Sequence, residues 1–136
     1  MKQADFEAFL MELPNVQREE NFGYSFFFVG DDHRFPFVTI ADSDNDYDDV
    51  SNLNREEVFR LNIGVSKETF NNLIAGLLNE GIDYSALNAF LPHPHYSRQH
   101  FVCILNPVDG NVEKTKQLII EAHRIAEGRL QRKDGS

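Results

Sequence analysis

The run Asp42-Ser43-Asp44-Asn45-Asp46-Tyr47-Asp48-Asp49 sets carboxylates at alternate positions, and these are the hard oxygen ligands that Ca²⁺ and Mg²⁺ prefer. Its register does not fit a dedicated calcium loop. With Asp42 as the first position, Tyr47 stands where the sharp turn needs glycine and Leu53 where the bidentate glutamate belongs. The other readings of the run are a solvated, self-repelling loop and an acidic face for a basic protein partner, contacted by Asp44, Asp46, Asp48 and Asp49. The polar connection over residues 42–57 is longer than joining two elements requires, and loops of this length often carry function.

A second cluster, His93, His95 and His100, offers imidazoles to zinc or a redox metal. Its spacing matches no dedicated motif, and a closed zinc site needs a fourth ligand, for which an Asp or the distant His33 would have to serve. His93 and His95 flank Pro94 in an extended stretch, which would aim them to the same side. Packing in a loop and at a strand edge is the plainer account of the three. Cys103 falls inside an apolar alternation and reads as an inert core thiol. His123 lies beside the apolar stripe of the last helix and reads as packed. Ser51, Ser66 and Ser97 have no nucleophile elbow around them, and no glycine-rich phosphate loop occurs.

These groups must be positioned by a chain of 136 residues, enough for one hydrophobic core, so residues 1–136 are expected to form a single domain. Twelve phenylalanines and no tryptophan promise an aromatic core, since burying each Phe is worth roughly 1.5–3 kcal/mol. The net charge of -9 is uneven: residues 1–64 hold 14 Asp and Glu against 5 Lys and Arg, whereas residues 65–136 hold 8 of each. An acidic half of this kind repels phosphates and anionic membranes and favours cations or basic protein surfaces. The apolar runs, such as Phe26 to Val29, do not exceed five residues, far short of the ~20 that cross a bilayer. The opening residues lack a secretory pattern, and a lone cysteine cannot form an internal disulfide, so a cytoplasmic home is expected.

Phe6, Phe9, Leu10 and Leu13 mark a first helix over residues 3–13, stopped by Pro14. Strands are expected over residues 24–29 and 34–41, joined as a hairpin by the turn at residues 30–33. Pro36 lacks a backbone donor, so the second strand must lie at an edge or leave Pro36 unpaired. A third strand over residues 58–65 places Phe59, Leu61, Ile63 and Val65 opposite Arg60 and Asn62. Ser66 caps a second helix with the stripe Phe70, Leu73, Ile74, Leu77 and Leu78, closed by residues 79–81. Another helical turn is conceivable over residues 83–90, before an extended loop at residues 91–95. A strand over residues 99–105 and a helix from an Asn111 cap to about Leu130 complete the chain, with residues 131–136 as a flexible tail.

Read in order, the segment Phe26-Phe27-Phe28-Val29-Gly30-Asp31-Asp32-His33-Arg34-Phe35-Pro36-Phe37, then Asp44-Asn45-Asp46-Tyr47-Asp48 and Phe59-Arg60-Leu61-Asn62-Ile63-Gly64-Val65, resembles an uncharacterised family of small bacterial proteins. The layout of Pro94-His95-Tyr96-Ser97-Arg98-Gln99-His100-Phe101-Val102, followed by a helix holding Leu118 and Glu121-Ala122-His123, is similar to the MmcQ/YjbR-like proteins. That resemblance implies an α+β fold: an antiparallel sheet with three helices, order α-β-β-β-α-β-α, related to secretion chaperones. It also implies a DNA-binding label, which the acidic charge and the lack of a basic stripe oppose. Where those relatives often carry Lys, this chain has His100 before Phe101.

The reading is therefore a cytoplasmic interaction or binding module with no catalytic chemistry and no cofactor, using the sheet surface or the acidic loop on a basic protein partner. Its rival is a small metal-binding protein or metal-dependent enzyme built on His93, His95 and His100. DNA binding by family analogy is a third reading.

Overall fold

The structure is a computed structural model and describes residues 1–21, 23–75, 77 and 81–134. Helix α1 (Gln3–Glu12) leads into strands β1 (Val16–Asn21), β2 (Tyr24–Val29), β3 (Val38–Ala41) and β4 (Arg60–Gly64). Helix α2 (Lys67–Ile74), β5 (Leu91–Pro92), a 3-10 turn at Ser97–Gln99, β6 (Phe101–Leu105) and α3 (Gly110–Asp134) follow. The strands make one antiparallel sheet in the order β1-β2-β3-β4-β6-β5. An α+β fold of three helices and an antiparallel sheet is thus as expected, enlarged by β1 and β5.

Strand β1 escapes the hydrophobic pattern because Val-Gln-Arg-Glu-Glu-Asn has one apolar residue, which suits an edge exposed to water. The expected strand over residues 34–41 begins only at Val38. Pro36 therefore lies outside the ladder, and β3 takes an interior place between β2 and β4. Residues 83–90 form turns rather than a helix.

Side chains alternate across the pleat. Phe27 and Val29, Val38 and Ile40, Leu61 and Ile63, and Val102 and Ile104 pack in one core with Phe6 and Leu10 of α1 and with Leu118, Ile119 and Ala122 of α3. Phe70, Leu73 and Ile74 bring α2 onto the same core. Ser66 Oγ accepts from Thr69 N at 3.1 Å, as a helix cap should. Glu121 of α3 accepts from Ser66 N at 3.0 Å and from Thr69 Oγ1 at 2.8 Å, tying the two helices together.

Helix α2 ends at Ile74, earlier than its stripe suggests, after the weak helix formers Asn71 and Asn72. Leu77 is consequently exposed, while Leu78 and residues 79–80 lie outside the described residues. Helix α3 starts at Gly110, so Asn111 is not its cap; the Asn111 amide donates instead to Asn88 O and Oδ1, each at 3.1 Å. It also continues past Leu130 to Asp134, so the expected tail is helical over residues 131–134. Among the described residues no helix is long and apolar enough to cross a membrane.

Candidate functional site

With all three helices on one face, the other face is shaped by the remaining alternate residues and by the connections that fold onto it. Tyr24, Phe26 and Phe28 of β2, Thr39 of β3, Arg60 and Asn62 of β4, and Phe101 and Cys103 of β6 project there, as their cross-strand pairs require. The segment after β3 turns back over them. Leu53 and Val58 anchor it in a second, smaller core with Ala41, Leu105 and Tyr24. Asp44 Oδ1 accepts from Leu53 N at 2.8 Å, and Arg55 Nη2 donates to Ser85 O at 2.9 Å.

The acidic loop is therefore not wholly solvated, which corrects one expectation. Asp48 is buried against Arg60, whose side chain has no exposed surface. Arg60 Nη1 donates to Asp48 Oδ1 at 3.1 Å and to Ser51 Oγ at 2.9 Å, while Nη2 donates to Asp48 Oδ2 and to the Tyr24 hydroxyl. Its Nε donates to Asn62 Oδ1 at 2.9 Å, and Asn62 Nδ2 in turn donates to Thr39 Oγ1 at 2.9 Å. All five guanidinium N–H groups are thus satisfied, the condition under which a buried charge is tolerated. Burial alone would push Asp48 up, but the hydrogen bonds from Arg60 and Tyr24 outweigh it and hold the carboxyl below its usual range. Burial likewise opposes the Arg60 cation, and Asp48 overrides it. Burial and the Asp48 hydrogen bond both raise Tyr24, keeping its hydroxyl a donor.

The four aspartates proposed as partner contacts are thereby divided. Asp48 faces inward, and Asp44 is half-buried and holds the loop. Asp46 and Asp49 are exposed and make no ion pair among the described residues. Just before them Asn45 Oδ1 accepts from Tyr47 N and Asp48 N at 2.8 and 2.9 Å, closing a tight turn whose tip is Tyr47, 91% exposed.

The three histidines are divided as well. His93 is buried, with its backbone N bonded to Phe101 O at 3.0 Å and its Nδ1 accepting from the backbone N of His95 and of Tyr96, each at 3.0 Å. Burial and then the neighbouring Arg60 push it down to about 3, so it is a neutral turn-former. The exposed His95 ring lies 6.1 Å from it, centroid to centroid. His100 adopts a left-handed backbone and packs its ring 5.7 Å from Phe70 of α2. Among the described residues no set of three or more His, Cys, Asp or Glu side chains converges to hold a metal ion. Cys103 is buried beside Pro92 O, and burial pushes its thiol up to about 12, which leaves no thiolate to react. His123 donates from Nε2 to Pro14 O at 2.7 Å and sets its ring edge-on to Phe37, a packing role.

Above the satisfied network lies an open groove of about 1300 Å³. Tyr24, Phe26, Phe28, Thr39 and Phe101 line its floor. One wall holds His33, stacked on Phe28 at 4.3 Å and set 2.7 Å from both Glu19 Oε1 and Gln17 Oε1. Its rim carries three aromatic side chains that water wets: Tyr47, Phe35 at 71% exposure and Tyr96 at 56%. Sequence reasoning missed Arg60, Tyr24 and this aromatic rim. The available signal was an arginine alternating with core residues in a strand, twelve positions after an aspartate.

No curated protein and no solved structure matches the chain. A family model described as a family of unknown function, DUF6194, matches residues 1–135. The fold and the groove just described are therefore those of a member of the DUF6194 family, to which this chain belongs.

Proposed function

We propose that this protein is a non-catalytic interaction module that receives a basic, extended segment of a partner protein across the open face of its sheet. The observation that carries the reading is Tyr47: an aromatic ring held out at a turn tip between two uncommitted carboxylates, Asp46 and Asp49, at the rim of an aromatic groove. A ring face flanked by anions suits a guanidinium or ammonium, since cation–π contact and charge act together. Tyr96 extends the same surface, and Phe35 beside it carries the chain's own Arg34 guanidinium 5.9 Å from its ring centre. The charged groups below it are spent on one another, which favours recognition over catalysis.

Two further elements belong to this reading. Kinship with the MmcQ/YjbR-like proteins is supported by three helices gathered on one face of an antiparallel sheet, and a reducing cytoplasm by the lone buried Cys103. The DNA-binding label does not come with that kinship, because a net charge of -9 repels a phosphate backbone. A metal site on His93, His95 and His100 has no convergence of side chains behind it.

The test is binding of the full chain to an array of immobilised peptides of mixed composition. Retention of peptides rich in Arg and Lys, weakened in Asp46→Asn/Asp49→Asn protein, is expected. Equal retention of acidic peptides, or indifference to that double change, would overturn the reading. Asp48 stays intact in such work, because changing it attacks the fold.

A further inference from the structure

A second cavity, of about 260 Å³, lies on the helix side of the sheet beneath the connection between β2 and β3. One wall is apolar, formed by Val29, Phe37 and Val65 against Ala122, Ile125 and Ala126 of α3, while Asp32 and Gln99 add polar lining elsewhere. Ala122 and Ala126 are one helical turn apart and share a face. Their short side chains leave open a space that Leu at either position would fill. Apolar walls of this kind cannot hold an ionic group, because removing a charge from water without a partner is prohibitive.

Its mouth is different. Arg34 and Arg129, both exposed, border the cavity. The Arg34 guanidinium is engaged by Asp32, with Nε 2.9 Å from Oδ1 and Nη2 2.7 Å from Oδ2. Arg129 makes no hydrogen bond or ion pair among the described residues. One uncommitted guanidinium therefore stands beside an apolar wall, in a mouth where Asp32 is engaged by Arg34. The helix that bears it runs toward its own carbonyl end at Asp134, where the backbone dipole repels anions. A phosphate dianion or a nucleotide would meet that repulsion with a single cation to offset it, whereas one carboxylate is matched by one fork.

From this arrangement we infer that the cavity binds a short amphiphilic monocarboxylate, its tail against Ala122 and Ala126 and its carboxylate on Arg129. Arg34, Phe35 and Arg129 line both this cavity and the open groove, so the two sites adjoin. Tyr47 and Tyr96 border the open groove and not this cavity.

Isothermal titration of the full chain with hexanoate, octanoate and, as an uncharged control, 1-octanol tests the inference. Saturable one-to-one binding of octanoate is expected, weakened about tenfold in Arg129→Gln and about tenfold for the alcohol, the scale of one lost charge-assisted hydrogen bond. Ala126→Leu should abolish binding while leaving the circular dichroism spectrum unchanged, and Tyr47→Ala should leave octanoate binding as it is. Absence of saturable binding by either acid, equal affinity for the alcohol, or an unaltered Arg129→Gln protein would each overturn it. The Arg129→Gln comparison decides even where the Ala126→Leu protein misfolds, since an exposed side chain can be changed without disturbing the core.

Discussion

The two faces of the sheet are built from the same strands, one residue out of step, yet they use their burial differently. The helix face buries Phe27, Val38, Ile40, Leu61, Ile63, Val102 and Ile104 with no charge among them. The open face buries Arg60, Asp48, Asn62 and His93 under a fringe of exposed aromatics. The first is held by removal of apolar area from water, which tolerates small errors of geometry. The second depends on every polar group finding its partner, and so fails abruptly when one is missing.

The sharpest way to break the comparison is at Arg60. Arg60→Ala leaves Asp48 buried and unpaired, and a loss of about 3–5 kcal/mol in urea unfolding is expected. The double change Arg60→Met/Asp48→Leu removes both charges and should recover most of that loss. A double variant no more stable than Arg60→Ala would show that the network is more than a matched pair of charges.

Legibility from sequence follows the same division. The helix face was readable because its rule is local: Phe6 and Leu10, Phe70 with Leu73 and Ile74, or Val102 with Ile104 declare a buried side by spacing alone. So was the Ser66 cap, which needs three residues of context. Strand β1 was not, since an edge strand of Gln, Arg and Glu has no apolar alternation to read. The open face was least legible. Arg60 reads as a solvent residue until the loop carrying Asp48 folds over it, and the anchors of that fold, Leu53 and Val58, are isolated apolar residues in a polar run. Asp46 and Asp49 are exposed, whereas Asp48 of the same run is buried on Arg60.

Acid should also discriminate between the faces. His93 stays neutral in the folded protein down to about pH 3, whereas an unfolded histidine takes up a proton near pH 6.5. The folded state therefore enjoys its full advantage above pH 6.5 and loses it as the pH falls toward 3. At pH 5 the loss amounts to about 2 kcal/mol. His93→Asn, whose Oδ1 can accept the same two amide protons, should flatten this part of the pH–stability profile. An unchanged slope would assign it to other groups.

The aromatic rim should matter for recognition and not for stability. Tyr47→Ala and Tyr96→Ala are each expected to weaken a basic peptide about tenfold, with unfolding midpoints unchanged. The smallest effect concerns Cys103: a thiol reagent should leave it unmodified in native protein and modify it at once in denaturant. Rapid labelling of the native state would mean that β5 opens readily from β6.

The most direct test of the open face as a binding surface is a ¹⁵N chemical-shift titration of the full chain with the Arg-rich peptide best retained on the array. Perturbations are expected at residues 45–49, along β2 at Tyr24, Phe26 and Phe28, and at Tyr96, and they should fade in the Tyr47→Ala/Tyr96→Ala protein. Shifts confined to the outward surfaces of α1 and α3, or undiminished in that variant, would contradict the account.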